Sequence, residues 1–308
     1  MKAILKSKTG EKEIELPLQF NEPIRQDLIK RAVLAIHSHK RQPYGTDPEA
    51  GKKHSSKLSR RRRDYKTAYG IGISRVPRKI LSHSGSRFNW VAAAVPYAVG
   101  GMQAHPPKAE KKWAQKINDK ERRKAIRSAM AASVNKELVL KRGHKIKELK
   151  YPLVLEDEIE NISKAKEALE MLLSLGLEDE LKRCSKYTQR SGKATTRGRT
   201  QKSRKGPLIV VSKKCNLMKA VRNIPGVDVV EVKNLNAELL APGADIGRLT
   251  VYTNAAIELL KNENLFLDNK LKLENKIISK ETEEKKKKET TKNEKIKKET
   301  KSKKIKEN

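Results

Sequence analysis

From Ile4 to Leu18 apolar and polar positions alternate weakly, and the alternation breaks at Gly10, which predicts a short hairpin. Asn21, Glu22 and Pro23 read as a helix start, since proline is tolerated in a first turn. Ile24, Leu28, Ala32, Ala35 and Ile36 then follow at helical spacing. At about His39 the periodicity stops. From Lys40 to Lys111 the chain holds little amphipathic pattern and is dominated by Gly, Pro, Ser, Arg and His. Structureless connections become uncommon beyond about 12–15 residues, so this stretch is either disordered alone or ordered by a partner.

Pattern resumes at Asn118, which with Glu121 three residues on resembles a capping box. Ala125, Ile126, Ala129 and Met130 line one face of the helix that follows. Four short apolar runs come next: Leu153–Leu155, Leu208–Val211, Val227–Val232 and Leu249–Tyr252. Helical patterns lie between or after most of them. One uses Ile162, Ala165, Leu169, Leu172 and Leu173 and stops at Gly176; one runs from Leu217 to Val221; one runs from Ala255 to Leu260, with Thr253 or Asn254 as N-cap. Apolar strands alternating with helices predict an α/β fold with a mostly parallel sheet flanked by helices. The expected organisation is residues 1–40 as the first part of a globular domain, 41–111 as an extended irregular basic loop, and 112–267 as the remainder of that domain. Residues 268–308 are mostly Lys, Glu, Thr and Asn without an aromatic residue. They are expected to be a disordered or transiently helical tail, because they cannot bury enough apolar surface to offset ordering entropy.

Charge changes this picture more than any motif. Lys and Arg number 71 against 37 acids in 308 residues, a formal net charge of +34. Such an excess repels itself unless a polyanion neutralises it. Nucleic acid fits best, because each cation that meets a phosphate also releases a counterion. A membrane surface would ask for a basic amphipathic helix or a lipid anchor. The sequence offers neither, nor a secretory h-region at Met1 to Leu5, nor an apolar run of the roughly 20 residues a membrane span needs. The two cysteines, Cys184 and Cys215, lack metal or redox spacing, and a reducing cytoplasmic compartment is expected.

The cations concentrate in two places. Within the irregular stretch, Arg60, Arg61, Arg62 and Arg63 are extended by Lys52, Lys53, Lys57, Lys66, Arg75, Arg78, Lys79 and Arg87. Guanidinium forks contact phosphates bidentately, and flexible basic segments order on RNA. The plainer alternative is a solvated loop or a localisation signal. The second cluster, Arg190, Lys193, Arg197, Arg199, Lys202, Arg204 and Lys205, is interleaved with Gly192, Gly198 and Gly206. Glycine lets backbone approach a phosphate closely. An apolar island, Phe88, Trp90, Val91, Val95, Pro96, Tyr97 and Val99, sits inside the first cluster. It reads equally as a buried core strand or helix, or as a stacking or packing element in an RNA wall.

Catalysis finds little support. The six histidines, His37, His39, His54, His83, His105 and His144, form no zinc spacing and are expected at the surface or on RNA. Gly70-Ile-Gly72 and Gly243-Ala-Asp-Ile-Gly247 match no phosphate-cradling loop. Glu156, Asp157, Glu158 and Glu160 read as the polar edge after a strand. No metal site, catalytic set or cofactor is expected, beyond Mg or K ions held by RNA itself. Two other readings stay open: a general nucleic-acid-coating protein, and an enzyme on a nucleotide-binding α/β domain.

Several stretches carry a resemblance. They are Lys120-Glu-Arg-Arg-Lys-Ala-Ile-Arg-Ser-Ala-Met-Ala-Ala-Ser133 with Arg142-Gly-His144, Ala104-His-Pro-Pro-Lys108, Arg222-Asn-Ile-Pro-Gly226, and Leu239-Leu-Ala-Pro-Gly243 with Gly247-Arg248 and Thr253. The Arg197-Gly-Arg199 loop fits as well. In this order, from near Met1 to about Leu260, they resemble the universal L-four family of large-subunit ribosomal proteins, in its archaeal and eukaryotic type. The resemblance implies a structural, non-enzymatic protein of the cytoplasmic ribosome. Its partners would be large-subunit rRNA, neighbouring ribosomal proteins and the nascent peptide. A globular domain would sit on the subunit surface, and the stretch from about Arg41 to Lys111 would thread rRNA toward the peptide exit tunnel. His105 and Lys108 then join the rRNA contacts. Arg87, Phe88, Asn89, Trp90, Tyr97, Gly100, Gly101 and Met102 would lie near the loop tip. Family members often carry basic residues before the Ala-His-Pro-Pro motif, where this chain has the neutral Tyr97, Gly100 and Met102.

Overall fold

The computed structural model describes residues 2–7, 10–146 and 151–268. In chain order the elements are β1 (Lys2–Ser7), β2 (Gly10–Glu15), α1 (Gln26–His39), β3 (Arg78–Ser84), β4 (Arg87–Ala92), α2 (Asp119–Val134), α3 (Lys136–Lys141), β5 (Leu153–Leu155) and α4 (Ala165–Ser174). They continue with α5 (Glu178–Ser185), β6 (Thr188–Gln189), α6 (Lys193–Thr196), β7 (Gln201–Lys202), β8 (Leu208–Val211), α7 (Leu217–Val221), β9 (Asp228–Glu231), α8 (Ala237–Leu240), β10 (Thr250–Thr253) and α9 (Asn254–Asn262). The chain divides into two compact units: a body, from residues 1–37 and 115 onward, and an insert, Ser38–Ala114.

The body is an α/β sandwich around a six-stranded sheet of order β2-β1-β5-β10-β8-β9. Every neighbouring pair is parallel except β2, which pairs antiparallel with β1 at one edge. The central strands are apolar runs because both faces are covered. Their two-residue period divides them between two cores. Val154, Leu208, Val210 and Tyr252 face Ile29, Val33, Ile126, Met130 and Ile257 on one side. Leu153, Leu155, Ile209, Val211 and Val251 face Ala168, Leu172, Leu217 and Val221 on the other.

Sequence pattern places β5, β8, β9 and β10 within a residue or so, while β6 and β7 fall in what read only as a basic loop; Val227 and Val232 fall just outside β9, the latter opening a 3-10 turn. Two helix starts differ from expectation. Leu18–Asn21 is a 3-10 turn, and α1 begins at Gln26 rather than at Pro23. The reason lies on α2, where buried Ser128 donates its hydroxyl to the Pro23 carbonyl (3.0 Å) and accepts from the Arg25 amide (2.7 Å). The backbone at 23–25 is therefore committed to α2 before α1 starts. Asn118 does precede α2, but its side chain makes no capping bond, and Glu121 pairs with Arg31 of α1 at 3.2 Å. For α9 the two candidate caps resolve to Thr253, whose hydroxyl accepts from the Ala256 amide at 3.3 Å.

The insert is not wholly irregular. It holds an antiparallel hairpin of β3 and β4, turned at Gly85 (φ +57°), with a register shift between Ile80 and Ser82. Phe88 packs edge-on against Tyr65 (centroids 5.1 Å apart) and lies 5.3 Å from Trp90. Phe88 to Ala92 of the apolar island do form a strand, but a half-exposed one of a hairpin rather than a buried core element. Beyond it Tyr97 and Val99 are 76% and 98% exposed. Further along, the segments around Gly45 and Gly51 lie against Lys108–Ala109 and Gly101–Met102. A methyl group at either glycine would collide with that backbone at 2.5–2.6 Å. Apart from Asp268, the tail expected from 268 onward lies outside the described residues.

Candidate nucleic-acid interface

The insert carries 17 Lys and Arg against four acids, Asp47, Glu49, Asp64 and Glu110. Arg60–Arg63 are all exposed. They lie on a tight turn that opens and closes at the Ser59–Thr67 bridge. Asp64 organises this turn by accepting from the Ser59 hydroxyl (2.5 Å) and the Tyr65 amide (2.8 Å), and the Thr67 hydroxyl donates to the Arg61 carbonyl (2.7 Å). Those bonds, from Ser59 first, hold the Asp64 carboxyl below its usual range. Among the described residues none of the four arginines makes an ion pair, so their charge is directed outward. Lys52, Lys57, Arg75, Arg87, His105 and Lys108 are likewise exposed.

Other expected contacts have internal partners. Lys53 pairs with Asp47. The Arg78 guanidinium donates to the Ser74 carbonyl (2.5 Å) and hydroxyl (2.9 Å) and lies 5.5 Å from the Trp90 ring. Arg75 sits over Tyr69 at 4.2 Å and Lys66 over Tyr65 at 5.4 Å. Lys66 and Lys79 are half-buried. Of the residues expected at the tip, Arg87, Asn89, Tyr97 and Gly100 are exposed, while Phe88, Trp90, Gly101 and Met102 are partly covered.

The second basic loop is a small structure in its own right. Strands β6 and β7 pair at its base, and the single turn α6 caps it between Gly192 (φ +66°) and Gly198 (φ +73°). Arg190, Lys193, Arg197, Arg199, Lys202 and Arg204 are exposed, with no acid between Lys186 and Lys205. Lys205 instead pairs with Asp228 at 3.1 Å.

What fastens this loop to the body was not visible in the sequence. Arg248 is 1% exposed and donates to the Gly206 carbonyl (2.9 Å), the Leu239 carbonyl (2.9 Å) and Asp228 (2.5 Å). Burial opposes ionisation of Asp228, but Arg248 and Lys205 outweigh it and hold the carboxyl below its usual range. Beside it, Arg183 grips the Lys205 carbonyl (2.7 Å) and both oxygens of Glu180 (2.6 and 2.9 Å). His144, expected at the surface, is only 4% exposed and bonds Glu180 at 2.6 Å. It is buried because a carboxylate 36 residues away gives its ring a partner. Gly206 and Gly226 meet backbone to backbone at 2.8 Å beside Cys184. Burial pushes the Cys184 thiol up to about 11, which makes it an inert packing group.

A second correction concerns the acids after β5. Glu160 is not an exposed edge residue. At 6% exposure it accepts from the Ser212 amide (2.8 Å), the Ser212 hydroxyl (2.7 Å) and the Thr253 hydroxyl (2.8 Å). Asp157 accepts from Ala255 at the start of α9 (2.6 Å). These donors lie at the carboxyl ends of β8 and β10, where open α/β sheets bind ligands. Here internal carboxylates already occupy them, which leaves the nucleotide-binding alternative without its phosphate donors. Among the described residues no group of His, Cys, Asp and Glu is placed to hold a metal ion, and no helix is long and apolar enough to cross a membrane.

Comparison with known proteins agrees with this geometry. The model of the ribosomal protein L4/L1 family matches residues 14–263. The large ribosomal subunit protein uL4 of Nanoarchaeum equitans is 56% identical over 254 residues, covering 82% of this chain and 94% of that protein. Its counterpart in Archaeoglobus fulgidus is 46% identical over 263 residues, 84% of this chain and 98% of its own. That of Methanosphaera stadtmanae is 47% identical over 250 residues, 80% and 91% respectively.

Proposed function

The chain belongs to the ribosomal protein L4/L1 family, and from that premise we propose that it is a non-enzymatic, structural protein of the large ribosomal subunit that binds and helps assemble large-subunit rRNA through its two basic segments. The observation that carries this reading is the charge imbalance of the insert, 17 cations against four acids, with Arg60–Arg63 outward and unpaired among the described residues. An insert so charged is at its most stable where phosphates neutralise it. The loop at 190–205 adds a second contact of the same kind, braced by Arg183 and Arg248. In this reading the body fixes where the insert enters the RNA. Neighbouring ribosomal proteins are further partners, and any Mg or K ions nearby are held by the RNA. The segment from Arg87 to Met102 faces the wall of the peptide exit tunnel and the nascent chain, a role supported by the exposure of Tyr97 and Val99.

The test is replacement of Arg60–Arg63 together by Ala, followed by sedimentation of native lysate through sucrose before and after a high-salt wash. The parent chain should stay with large subunits through the wash, and the variant should be depleted from them. A variant that incorporates and resists salt like the parent would refute the role given to those arginines. A parent that sediments free of subunits would refute the reading as a whole.

A further inference from the structure

The geometry points to a nucleobase site: we propose that Tyr44 and Trp113, with Arg41, Lys108 and Lys111 beside them, take an unpaired base of an RNA strand together with its phosphate. This deepens the rRNA reading and rests on it. The two rings are 19° from parallel with centroids 5.6 Å apart, and Tyr44 is 54% exposed. The Arg41 guanidinium lies 3.9 Å from the Trp113 ring centroid and the Lys111 ammonium 4.5 Å. A cleft of about 680 Å³ opens beside them, lined also by His105, Pro106, Pro107, Lys108 and one acid, Glu110. That volume is within the usual range of small-ligand sites, about 300–1,000 Å³.

The cleft is held by backbone as well as by side chains. The Thr46 amide donates to the Pro107 carbonyl at 3.0 Å, and Gly45 admits Ala109 so closely that a methyl group there would meet its amide at 2.6 Å. The buried indole Nε1–H of Trp113 has no acceptor among the described residues, although tryptophan donors usually find one. Phosphate contact alone needs no rings. Trp113 already carries Tyr44, Arg41 and Lys111 against its ring, so the exposed Tyr44 offers the face on which a base stacks and the cations beside it meet the phosphate; every base has a π face for such a contact. Among the described residues the cleft borders no helix N-terminus or glycine-rich phosphate loop of the kind that retains a free nucleotide, so its ligand needs the rest of the strand for affinity.

The experiment titrates the full chain with a short single-stranded oligoribonucleotide, an abasic strand of equal charge, and a mononucleotide, reading tryptophan fluorescence and affinity. The protein has only two tryptophans, so quenching that disappears in Trp113→Phe belongs to Trp113. The oligoribonucleotide should quench Trp113 and bind about tenfold more tightly than the abasic strand. Tyr44→Ala and Trp113→Ala should abolish that preference, while Trp113→Phe keeps it and the Arg60–Arg63 replacement weakens both strands alike. Equal binding of both strands with no Trp113 quenching would overturn the base site and leave phosphate-driven RNA binding intact. Binding of neither strand would sink the RNA reading too. Saturation by the mononucleotide at the same concentration would overturn the assignment to a strand. The quenching measurement needs only Trp113→Phe, which keeps an aromatic ring in the cleft, so a misfolded alanine variant would not shield the proposal.

Discussion

Glu180 has no exposed surface, yet its carboxylate is ionised. Burial works against this, but the hydrogen bonds from Arg183 and His144 outweigh it and hold the group down to about 2 against an ordinary 4.5. A depressed carboxyl stabilises the fold above the unfolded value and loses that contribution as pH falls through the folded one. The shift corresponds to about 3 kcal/mol. Glu180→Gln should therefore lose about 3 kcal/mol in urea unfolding at neutral pH, and the gap from the parent should close between about pH 4.5 and 2. A gap that is constant with pH would show that the carboxylate's charge is not what holds the site. His144 works in the same sense. Burial lowers its pKa, so the unfolded ring takes its proton first and stability declines below the ordinary 6.5. The nearby glycine contact gives a second prediction. A methyl group at Gly206 would sit 2.5 Å from the Cys184 sulfur. Gly206→Ala should cost about 1–3 kcal/mol, and Cys184→Ala in the same chain should recover part of that, a non-additivity readable in a double-mutant cycle. Simple additivity of the two costs would rule out the sulfur as the obstacle. None of this was legible beforehand. The motifs Arg142-Gly-His144, Arg222–Gly226 and Gly247-Arg248 were visible as strings, but their convergence on one loop root is made by the fold.

At the scale of elements, the legible parts are those whose pattern is set by burial on both faces. β5, β8 and β10 are short buried runs because helices cover both sides of the sheet, and they could be placed almost to the residue, as could the half-buried edge strand β9. α3, α5, α6 and α8 could not. They span four to eight residues and offer so few turns that periodicity rarely shows, α7 with its five residues being the exception. The hairpin β3–β4 was missed for another reason. β4 does alternate in burial, with Phe88, Trp90 and Ala92 half-covered, but β3 runs Ile80-Leu81 and then turns polar, and its register shifts. An isolated two-stranded hairpin is marginal in water. This one depends on the cluster of Tyr65, Phe88 and Trp90. Phe88→Ala should thus abolish amide protection at Ile80 and Trp90 in hydrogen exchange while leaving Ile209 and Val251 protected. Retained protection at Trp90 would mean that the backbone ladder alone suffices.

For the whole molecule, the hydrophobic cores lie in the body alone, whereas body and insert both carry an excess of cations. The two hydrophobic cores draw on residues 3–37 and 117 onward, and no residue of the insert belongs to either. The insert's own buried apolar residues are few, namely Ala68, Val76 and Ala93. A body that keeps all its core should fold without the insert, whereas the insert's 17 cations should account for much of the RNA affinity. Replacing residues 41–111 with a flexible Gly/Ser linker should therefore leave a single cooperative unfolding transition. The same change should flatten the dependence of RNA affinity on salt, since each lost phosphate contact removes about 0.7–0.9 from the slope of log affinity against log salt. The loop at 190–205 should preserve a residual slope, because its anchors, Arg183 and Arg248, sit in the body. Loss of cooperative unfolding would make the insert part of the folding unit. An unchanged slope would move the electrostatic work of binding to the body, and the charge imbalance of the insert would then need another explanation.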